Sequence, residues 1–370
     1  MKDSTEGGRL LALVDALAGR RVVIAGDLIA DEFIYGEIAR VSREAPVLIL
    51  NYDSTEIVPG GAGNAAGNVA SLGGQARLLG VAGRDETGRR LLATLQSRRI
   101  EVGAVLSPAG YRTPTKTRIL AGGIHSAKQQ VVRIDRAASM PVDDRTCAAF
   151  ESRVLRALRN ADALLVSDYG SGLVRPQLVT EARRSFRLKA DATRAARGQP
   201  RDHRSGSRGL RLQAEGVIMV DSRYNLLKFH GMTACTPNES EVEQALDIRI
   251  GDNARTLERA GRELLKKTRS AAVLITRGSR GMALFEAGRP TVHIAIVGSD
   301  QIADVTGAGD TVIATMTLAL SAGASFEDAA RLANHAGGIA VMKRGTATVG
   351  ASELRYAISG GAIGRAADRR

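Results

Sequence analysis

Apolar runs of four or five residues alternate along this sequence with longer segments of helical periodicity. Four of these runs end in a polar or glycine-containing turn, and with their turns they cover residues 21–27, 163–168, 216–221 and 271–278. The alternation is typical of β-α-β units and predicts an α/β fold with a mainly parallel central sheet flanked by helices. Because open α/β sheets bind ligands beyond the carboxyl ends of their strands, we expect the functional site where these runs end.

Helical periodicity identifies the segments expected to pack on this sheet. They are residues 86–98, 143–160, 176–186, 254–268, 310–322 and 326–343. Ser325 and Asp328 have the spacing of a capping box at the start of the last helix. Two other regions, 33–58 and 111–135, contain short alternating β-rich pieces. We expect these pieces to project from one side of the main sheet as a small lid over a ligand.

The net charge of +13 is unevenly distributed along the 370 residues. Residues 187–214 carry a net charge of +6, contain no Phe, Tyr or Trp, and include glycine, proline and serine, which predicts a flexible basic insertion. Contact with nucleic acid or a membrane is the alternative interpretation of such a stretch. With aromatics at 3% and no tryptophan, the composition argues against stacking on single-stranded nucleic acid.

The cysteines and the N-terminal segment indicate no secretion. Cys147 and Cys235 are far apart and form no metal-binding spacing, so we expect two buried thiols in a reducing cytosol. The apolar stretch 10–14 is too short for a signal core, and no run approaches the roughly 18 apolar residues of a spanning helix. These features predict a cytoplasmic protein.

The sequence Asp-Val-Thr-Gly-Ala-Gly-Asp at 304–310 leads directly into an apolar helical segment. Gly307, Ala308 and Gly309 at a helix start allow several backbone N–H groups to converge on an anion, and the helix dipole adds positive potential. Such a nest suits the charge that develops on a transferring phosphoryl group, and Asp310 beside it can take a proton from an attacking hydroxyl. The alternative is an ordinary glycine-rich turn whose aspartate caps the helix.

A second glycine-rich motif covers residues 60–68 and includes Gly60, Gly61, Asn64 and Asn68. The two asparagines are four residues apart, so on a helix they share a face and could both bind sugar hydroxyls. Part of the run matches a dinucleotide-binding fingerprint, but no clear strand precedes it, which makes that interpretation weak. The chain has no Gly-Lys dipeptide, which excludes a Walker-type phosphate loop.

A third motif places an amide and a carboxylate three residues apart where a helix is expected to begin. Asn238 and Glu241 could organise a hydrated magnesium ion beside phosphate groups. The alternative is a helix N-terminus with acidic residues in its first turn. The residues of this motif alone leave both interpretations open.

Together these motifs resemble those of the ribokinase-like carbohydrate kinases, also called the PfkB family. Residues 60–83 fit the first signature of that family, residues 304–310 fit the second, and Asn238-x-x-Glu241 fits its magnesium-associated motif. The resemblance covers nearly the whole chain, with the signatures in the expected order. It implies a single carbohydrate kinase domain over residues 1–370, with a ribokinase-like α/β fold and a small β-sheet lid.

The resemblance also implies roles for individual residues. Asp310 would be the catalytic base, beside an anion hole formed by residues 307–309. Sugar hydroxyls would be bound by Asp31, Gly60, Gly61, Asn64 and Asn68. ATP would be bound by Asn238, Glu239, Ser240, Glu241, Thr276, Gly278, Gly281 and Asn334. Mg²⁺ would be held near Glu241 through water, and the need for a monovalent cation such as K⁺ is left open.

Within that family, several segments are similar to bacterial heptose-7-phosphate kinases. These segments are residues 42–47, 129–135, 167–170, 304–313 and 345–349. Two positions depart from that pattern, since Ser171 replaces an expected lysine and residues 221–223 read Asp-Ser-Arg instead of Asp-Pro-Lys. Many heptose kinases are fused to a nucleotidyltransferase domain, whereas we expect only the kinase domain here.

The reaction that this resemblance implies is magnesium-dependent phosphorylation of the anomeric hydroxyl of D-glycero-β-D-manno-heptose 7-phosphate by ATP. The phosphate of the acceptor would be bound by basic side chains of the lid, namely Arg40, Arg43, Lys116, Arg118 and Arg133. Of these, Arg133 is the first candidate. A kinase for ribose or fructose and a non-catalytic sugar or nucleotide sensor remain the alternatives. We expect no nucleic acid or membrane partner, and a homodimer is left open.

Overall fold

The computed structural model describes residues 5–122, 128–138, 140–196, 216–298, 305–343 and 345–361. Within these residues the strands form two sheets, one of eight strands and one of four. In the order of their pairing, the strands of the larger sheet cover residues 292–294, 282–286, 272–276, 234–235, 217–222, 163–168, 21–26 and 75–79, and those of the smaller sheet cover residues 48–61, 28–41, 115–122 and 129–136. The α/β architecture expected from the sequence is therefore present, together with the separate small sheet.

Most strand pairs of the main sheet are parallel, and two pairs at one edge are antiparallel. Its strands are β1 (Arg21–Gly26), β4 (Gln75–Leu79), β7 (Ala163–Asp168), β8 (Val217–Ser222), β9 (Ala234–Cys235), β10 (Ala272–Thr276), β11 (Met282–Glu286) and β12 (Val292–Ile294). All six residues of β7 are buried, because helices cover both faces of the sheet. Burial on both faces explains why the central strands have continuous apolar runs and no alternation.

The small sheet is the lid, and it extends from the end of β1. Its strands are β2 (Leu28–Val41), β3 (Leu48–Gly61), β5 (Thr115–Gly122) and β6 (Gln129–Arg136). Every residue of β6 is exposed, whereas the parts of β2 and β3 nearest the main sheet are buried. The expected lid pieces were thus in the right places, although the strands are longer than predicted. Residues 123–127 of the second piece lie outside the described residues.

The helices place several N-termini at the edge where the parallel strands end. The α-helices are α1 (Glu6–Ala16), α2 (Ala62–Ser71), α3 (Glu86–Ser97), α4 (Asp144–Leu158), α5 (Gln177–Ala196), α6 (Glu239–Leu246), α7 (Ala254–Thr268), α8 (Ala308–Ser321), α9 (Phe326–Val341) and α10 (Ala351–Ile358). The Ser325 hydroxyl accepts the Asp328 N–H at 3.0 Å, which confirms the predicted cap of α9. In this cap the Asp328 carboxylate accepts the serine hydroxyl and not the serine N–H.

The basic stretch differs from its prediction at its beginning. The helix expected over 176–186 continues to Ala196, so residues 187–196 are helical and do not belong to a flexible insertion. The physical reason is that Arg, Leu, Lys and Ala, which fill most of these positions, are strong helix formers. Residues 197–214 lie outside the described residues. None of the described helices is long and apolar enough to cross a membrane.

Helix α7 provides a stability test of the close packing on one face of the sheet. A Cβ added to Gly261 would lie 2.5 Å from atoms of the buried Phe285 ring. We expect Gly261→Ala to lower the free energy of unfolding by about 1–3 kcal/mol through overpacking. Gly7→Ala in the first turn of α1, where a Cβ meets nothing within 4 Å, should leave stability unchanged or raise it by up to about 0.5 kcal/mol. Urea unfolding of both variants measures the difference, and equal effects would contradict the packing argument.

Candidate active site

A cavity of about 530 Å³ lies between the lid and the carboxyl edge of the main sheet. Its walls include many of the residues selected from the sequence. These are Asp31, Gly61, Arg133, Asn238, Ser240, Glu241, Thr276, Gly307, Gly309 and Asp310. The fold therefore brings the three sequence motifs and the lid to one place.

Asp310 lies in the first turn of α8 and is 4% exposed. The side-chain amide of Asn64 donates to its Oδ2 at 2.8 Å, and the hydroxyl of Tyr169 donates to its Oδ1 at 3.4 Å. The pKa of Asp310 is raised to about 7, chiefly by burial and also by the carboxylate of Asp31, while the hydrogen bonds from Asn64 and Tyr169 and the charge of Lys116 oppose the shift. A carboxylate with a pKa near neutrality can accept a proton at physiological pH and release it again.

The start of α8 has the backbone shape that an anion nest requires. Gly307 has φ +78°, and a Cβ there would lie 2.5 Å from the amide nitrogen of Asn64. Gly309 lines the cavity, and a Cβ added to it would meet no protein atom within 4 Å. The N–H of Ala308 donates to Val305 O at 3.3 Å, and Ala308 is not part of the cavity wall. The open side of the nest is therefore at Gly309, where the unpaired N–H groups of a helix start are available.

Most residues of the glycine-asparagine motif lie outside the cavity wall and contact the residues that form it. Gly60 leaves room for Asp31, since a Cβ on Gly60 would lie 2.4 Å from Asp31 Oδ2. Asn64 and Asn68 share a face of α2 as predicted, but both are fully buried and neither is part of the cavity wall. The Asn68 amide donates to Asn64 O and Oδ1 at 3.1 and 3.2 Å, and its Oδ1 accepts the Thr311 hydroxyl at 3.1 Å. In this geometry the two asparagines hold Asp310 and α8.

Asn238 and Glu241 form a complete capping box at the start of α6, and Glu241 also lines the cavity. Asn238 Oδ1 accepts the Glu241 N–H at 2.9 Å, and Glu241 Oε2 accepts the Asn238 N–H at 3.0 Å. The Ser240 hydroxyl donates to Asn238 Oδ1 at 2.6 Å. Burial raises the pKa of Glu241. The motif therefore caps a helix and also presents a carboxylate to the cavity.

The donor set fits a magnesium ion held through water. Asp221, at the end of β8, is part of the cavity wall, and its pKa is raised well above the usual value by burial and then by the carboxylates of Glu241, Asp310 and Asp168. A divalent cation beside these acids would favour their ionised forms. Among the described residues, no group of three or more His, Cys, Asp or Glu side chains could hold a metal directly. A magnesium ion that keeps several of its waters needs only one or two protein carboxylates, and Glu241 presents one to the cavity.

The turn after β10 is tied to α6 by ion pairs. Glu239 accepts Arg277 at 2.8 Å and Arg280 at 2.6 Å, so it stabilises the turn and does not face the cavity. Gly278 and Gly281 lie in this turn at φ +57° and +73°, and a Cβ on Gly281 would lie 2.1 Å from Ile294 O. Thr276, the last residue of β10, lines the cavity. Glu239, Gly278 and Gly281 lie outside the cavity wall.

Asn334, in α9, is 4% exposed and lies away from the cavity wall. Its amide donates to Ala295 O at 2.7 Å. This bond ties α9 to the segment that follows β12.

Three of the five basic candidates from the lid line the cavity, namely Lys116, Arg118 and Arg133. Arg118 pairs with Asp31 at 2.6 Å, and both side chains are largely buried. Arg133 makes two hydrogen bonds of 2.7 Å to Asp135. Arg40 and Arg43 are exposed and outside the cavity wall.

Sequence reasoning gave no role to several cavity residues that follow strands β7 and β8. Tyr169 bonds to Asp310, and Asp221 and Arg223 line the cavity. A signal was available, because each residue lies at or just beyond the carboxyl end of a buried strand. Ser171, which stands where the family pattern has lysine, makes specific contacts: its hydroxyl and its N–H both donate to the buried carboxylate of Asp27.

A scan against protein-family models matches residues 22–198 and 223–353 to the pfkB family carbohydrate kinase model. Curated relatives include the "Bifunctional protein HldE" of Caulobacter vibrioides, 37% identical over 347 residues, or 93% of this chain and 65% of the relative. The protein of the same name from Geobacter metallireducens is 37% identical over 337 residues, or 90% of this chain and 61% of the relative. The chain thus spans less than two thirds of the length of these relatives.

Solved structures share the fold. An Arabidopsis thaliana ribokinase complexed with ribose and ATP aligns with a TM-score of 0.65 at 17% identity, covering 92% of this chain and 99% of the ribokinase. Escherichia coli phosphofructokinase-2 in complex with fructose-6-phosphate aligns with a TM-score of 0.64 at 17% identity, covering 92% and 98%. These matches confirm the ribokinase-like α/β fold expected from the sequence.

The hydrogen bond from Asn64 gives a direct test of the electrostatics at Asp310. We expect Asn64→Ala to raise the pKa of Asp310 above about 7, because the buried carboxylate loses a donor that stabilises its charge. Carboxyl ¹³C NMR titration measures the shift. Asn334→Ala removes a buried amide that bonds to Ala295 and is the control for stability loss alone. An unchanged Asp310 titration in Asn64→Ala would contradict the assigned interaction.

Proposed function

The chain belongs to the pfkB family of carbohydrate kinases and is a sugar kinase, and we propose that it phosphorylates the anomeric hydroxyl of D-glycero-β-D-manno-heptose 7-phosphate with ATP. The observation that carries the chemistry is the buried Asp310 carboxylate beside the open glycine nest of α8, inside a cavity rimmed by lid cations. The preference for a heptose phosphate is supported by the motif resemblance to heptose kinases.

In the proposed reaction, the oxygen of the acceptor hydroxyl attacks the γ-phosphorus of ATP, and Asp310 accepts the proton of that hydroxyl. The bond between the γ-phosphorus and the bridging oxygen of ADP breaks, and N–H groups at the start of α8 stabilise the charge on the transferring group. Bound Mg²⁺ would neutralise charge on the phosphates, and Glu241 would hold it through water. The other proposed nucleotide contacts are Asn238, Ser240 and Thr276, which share the cavity wall with Glu241. Glu239, Gly278, Gly281 and Asn334 would support the nucleotide site from outside that wall.

The acceptor would lie beneath the lid, with its hydroxyls near Asp31 and Gly61 and its phosphate near the lid cations. Burial lowers the pKa of Lys116, and an acceptor phosphate beside this amine would favour its charged form. Arg133 has the planar group best suited to bidentate phosphate binding, and it would exchange its bond with Asp135 for the phosphate. Arg118 already neutralises Asp31, which makes Lys116 and Arg133 the more available pair.

A kinase for another sugar, such as ribose or fructose, is the second candidate, since the base and the nest do not select the acceptor. A non-catalytic sensor is disfavoured because a sensor has no need for a buried base of near-neutral pKa beside an anion nest. We also propose ATP and Mg²⁺ as the cosubstrate and cation, while K⁺ dependence and homodimer formation are left to experiment.

Asp310→Asn tests the proposed base. The amide keeps the shape and accepts no proton, so turnover should fall about 10² to 10⁴-fold while binding of a non-hydrolysable ATP analogue is retained. Coupled kinase assays and calorimetry measure these two quantities. Asp53→Asn, at a lid aspartate whose side chain is 55% exposed, is the matched control and should retain turnover. Near-normal turnover of Asp310→Asn would contradict the assignment of Asp310 as the base, since Gly307 and not Asp310 is the N-cap of α8.

Substrate comparison tests the proposed acceptor. Heptose 7-phosphate should have a higher kcat/KM than fructose 6-phosphate, fructose or ribose, because remote phosphate binding positions the reacting hydroxyl. Arg133→Ala should reduce the preference for the phosphorylated heptose by about tenfold, consistent with loss of one charge-assisted contact. Arg40→Ala, in the same lid but outside the cavity, is the control. If a free sugar matches every phosphorylated acceptor, the heptose phosphate assignment is wrong and the sugar-kinase assignment stands.

A further inference from the structure

Tyr169 makes the second side-chain hydrogen bond to the proposed base. Its hydroxyl lies 3.4 Å from Asp310 Oδ1, whereas Asn64 occupies Oδ2 at 2.8 Å. The two carboxylate oxygens are therefore not equivalent. The shorter bond joins Oδ2 to α2, the longer bond joins Oδ1 to Tyr169, and Asp310, Tyr169 and Asp31 all line the cavity.

The position of Tyr169 is set by the turn that follows β7. Its N–H donates to Asp27 Oδ2 at 2.7 Å, and Ser171 donates to both oxygens of the same carboxylate. A Cβ added to Gly61 would lie 3.4 Å from the tyrosine ring, so the ring packs against the backbone at Gly61. Tyr169 also lines a second cavity, whose walls are mainly apolar. Backbone and ring contacts thus direct the hydroxyl at Asp310.

The charges around this pair keep Tyr169 a donor. The carboxylate of Asp310 raises the pKa of Tyr169 well above its usual value, and burial and the carboxylates of Asp221 and Asp31 raise it further. Lys116 Nζ lies 5.3 Å from the centroid of the tyrosine ring. The phenol therefore stays protonated and can only donate its hydrogen bond to the carboxylate.

We propose that Tyr169 is a positioning residue that holds Asp310 Oδ1 toward the acceptor hydroxyl and stabilises the carboxylate form of Asp310. This inference rests on the proposed role of Asp310 as base. The acceptor hydroxyl donates to Oδ1, its proton moves to Oδ1, and its oxygen forms the bond to the γ-phosphorus as the bond to ADP breaks. Tyr169 gives up no proton in this step.

The groups that face Asp310 from its neighbouring elements define what a pH profile reports. Asn64 lies on α2, Asp31 on β2, Lys116 on β5 and Asp221 on β8, and a substitution at Tyr169 alters none of these side chains chemically. Removing the phenol hydroxyl takes away one interaction that lowers the pKa of Asp310. The base must be deprotonated, so a higher pKa moves the acid limb of kcat/KM to higher pH.

The test is the pH profile of kcat/KM for Tyr169→Phe and for the enzyme with 3-fluorotyrosine incorporated at position 169. We expect Tyr169→Phe to move the acid limb up by about 0.5 to 1 pH unit, so that the loss of kcat/KM is about three- to tenfold larger at pH 6 than at pH 9. The fluorinated residue keeps the ring and donates a stronger hydrogen bond, so it should move the limb down. Tyr111→Phe, at a buried tyrosine with no bond to Asp310, should leave the limb unchanged.

Opposite shifts of the two variants cannot come from lost packing. Superimposable acid limbs for the parent, Tyr169→Phe and the fluorinated enzyme would overturn the inference. If Tyr169→Phe fails to fold, the fluorotyrosine enzyme alone decides, since an unchanged limb contradicts the proposed bond. Asp310→Asn separates the two proposals. High turnover in that variant would refute the assignment of Asp310 as the base. If Asp310→Asn is inactive but the acid limb of Tyr169→Phe is not shifted, only the proposed role of Tyr169 is refuted.

Discussion

A buried carboxylate at the start of a helix is the feature on which the rest of this site depends. The folded-state pKa of Asp310, about 7, exceeds the ordinary value of 3.8, so the native state binds more protons than the unfolded chain between about pH 4 and 7. Stability from this group is therefore present at low pH and lost as pH rises through that interval, by roughly 4 kcal/mol for the full shift. The hydrogen bonds from Asn64 and Tyr169 and the positive end of the helix dipole stabilise the ionised carboxylate and so reduce the free energy lost when it ionises in the folded protein.

The two sheets divide the charges of the cavity between them. The main sheet and the helices that follow its strands supply Asp221, Glu241 and Asp310, and the lid supplies Lys116 and Arg133. The pair of Arg118 with Asp31 joins two neighbouring lid strands where they meet the main sheet. Most acids of the cavity wall thus lie on the main-sheet side and most of its cations lie in the lid, with Asp31 in the lid and Arg223 after β8 as the exceptions.

The sequence was informative where function resides in contiguous residues. The strand and turn alternation predicted the sheet, and residues 307–310 predicted a helix start with an acid beside it, because both depend on local patterns. Contacts across long separations could not be predicted: Asn64 and Asp310 are 246 residues apart, so the sequence did not reveal the hydrogen bond between them. The ion pairs of Glu239 with Arg277 and Arg280 were likewise unpredicted, because they form only when the fold brings two turns together.

The departures from the heptose kinase pattern change how the site carries its charge. At 171 a serine satisfies the buried Asp27 with neutral hydrogen bonds, and burial raises the pKa of Asp27. Ser222 in the same way donates to Asp168 at 2.6 Å. A lysine at 171 would have placed a cation on the turn after β7. With serine there, the basic side chains of the cavity wall come from the lid strands and from Arg223, which follows β8 in the main sheet.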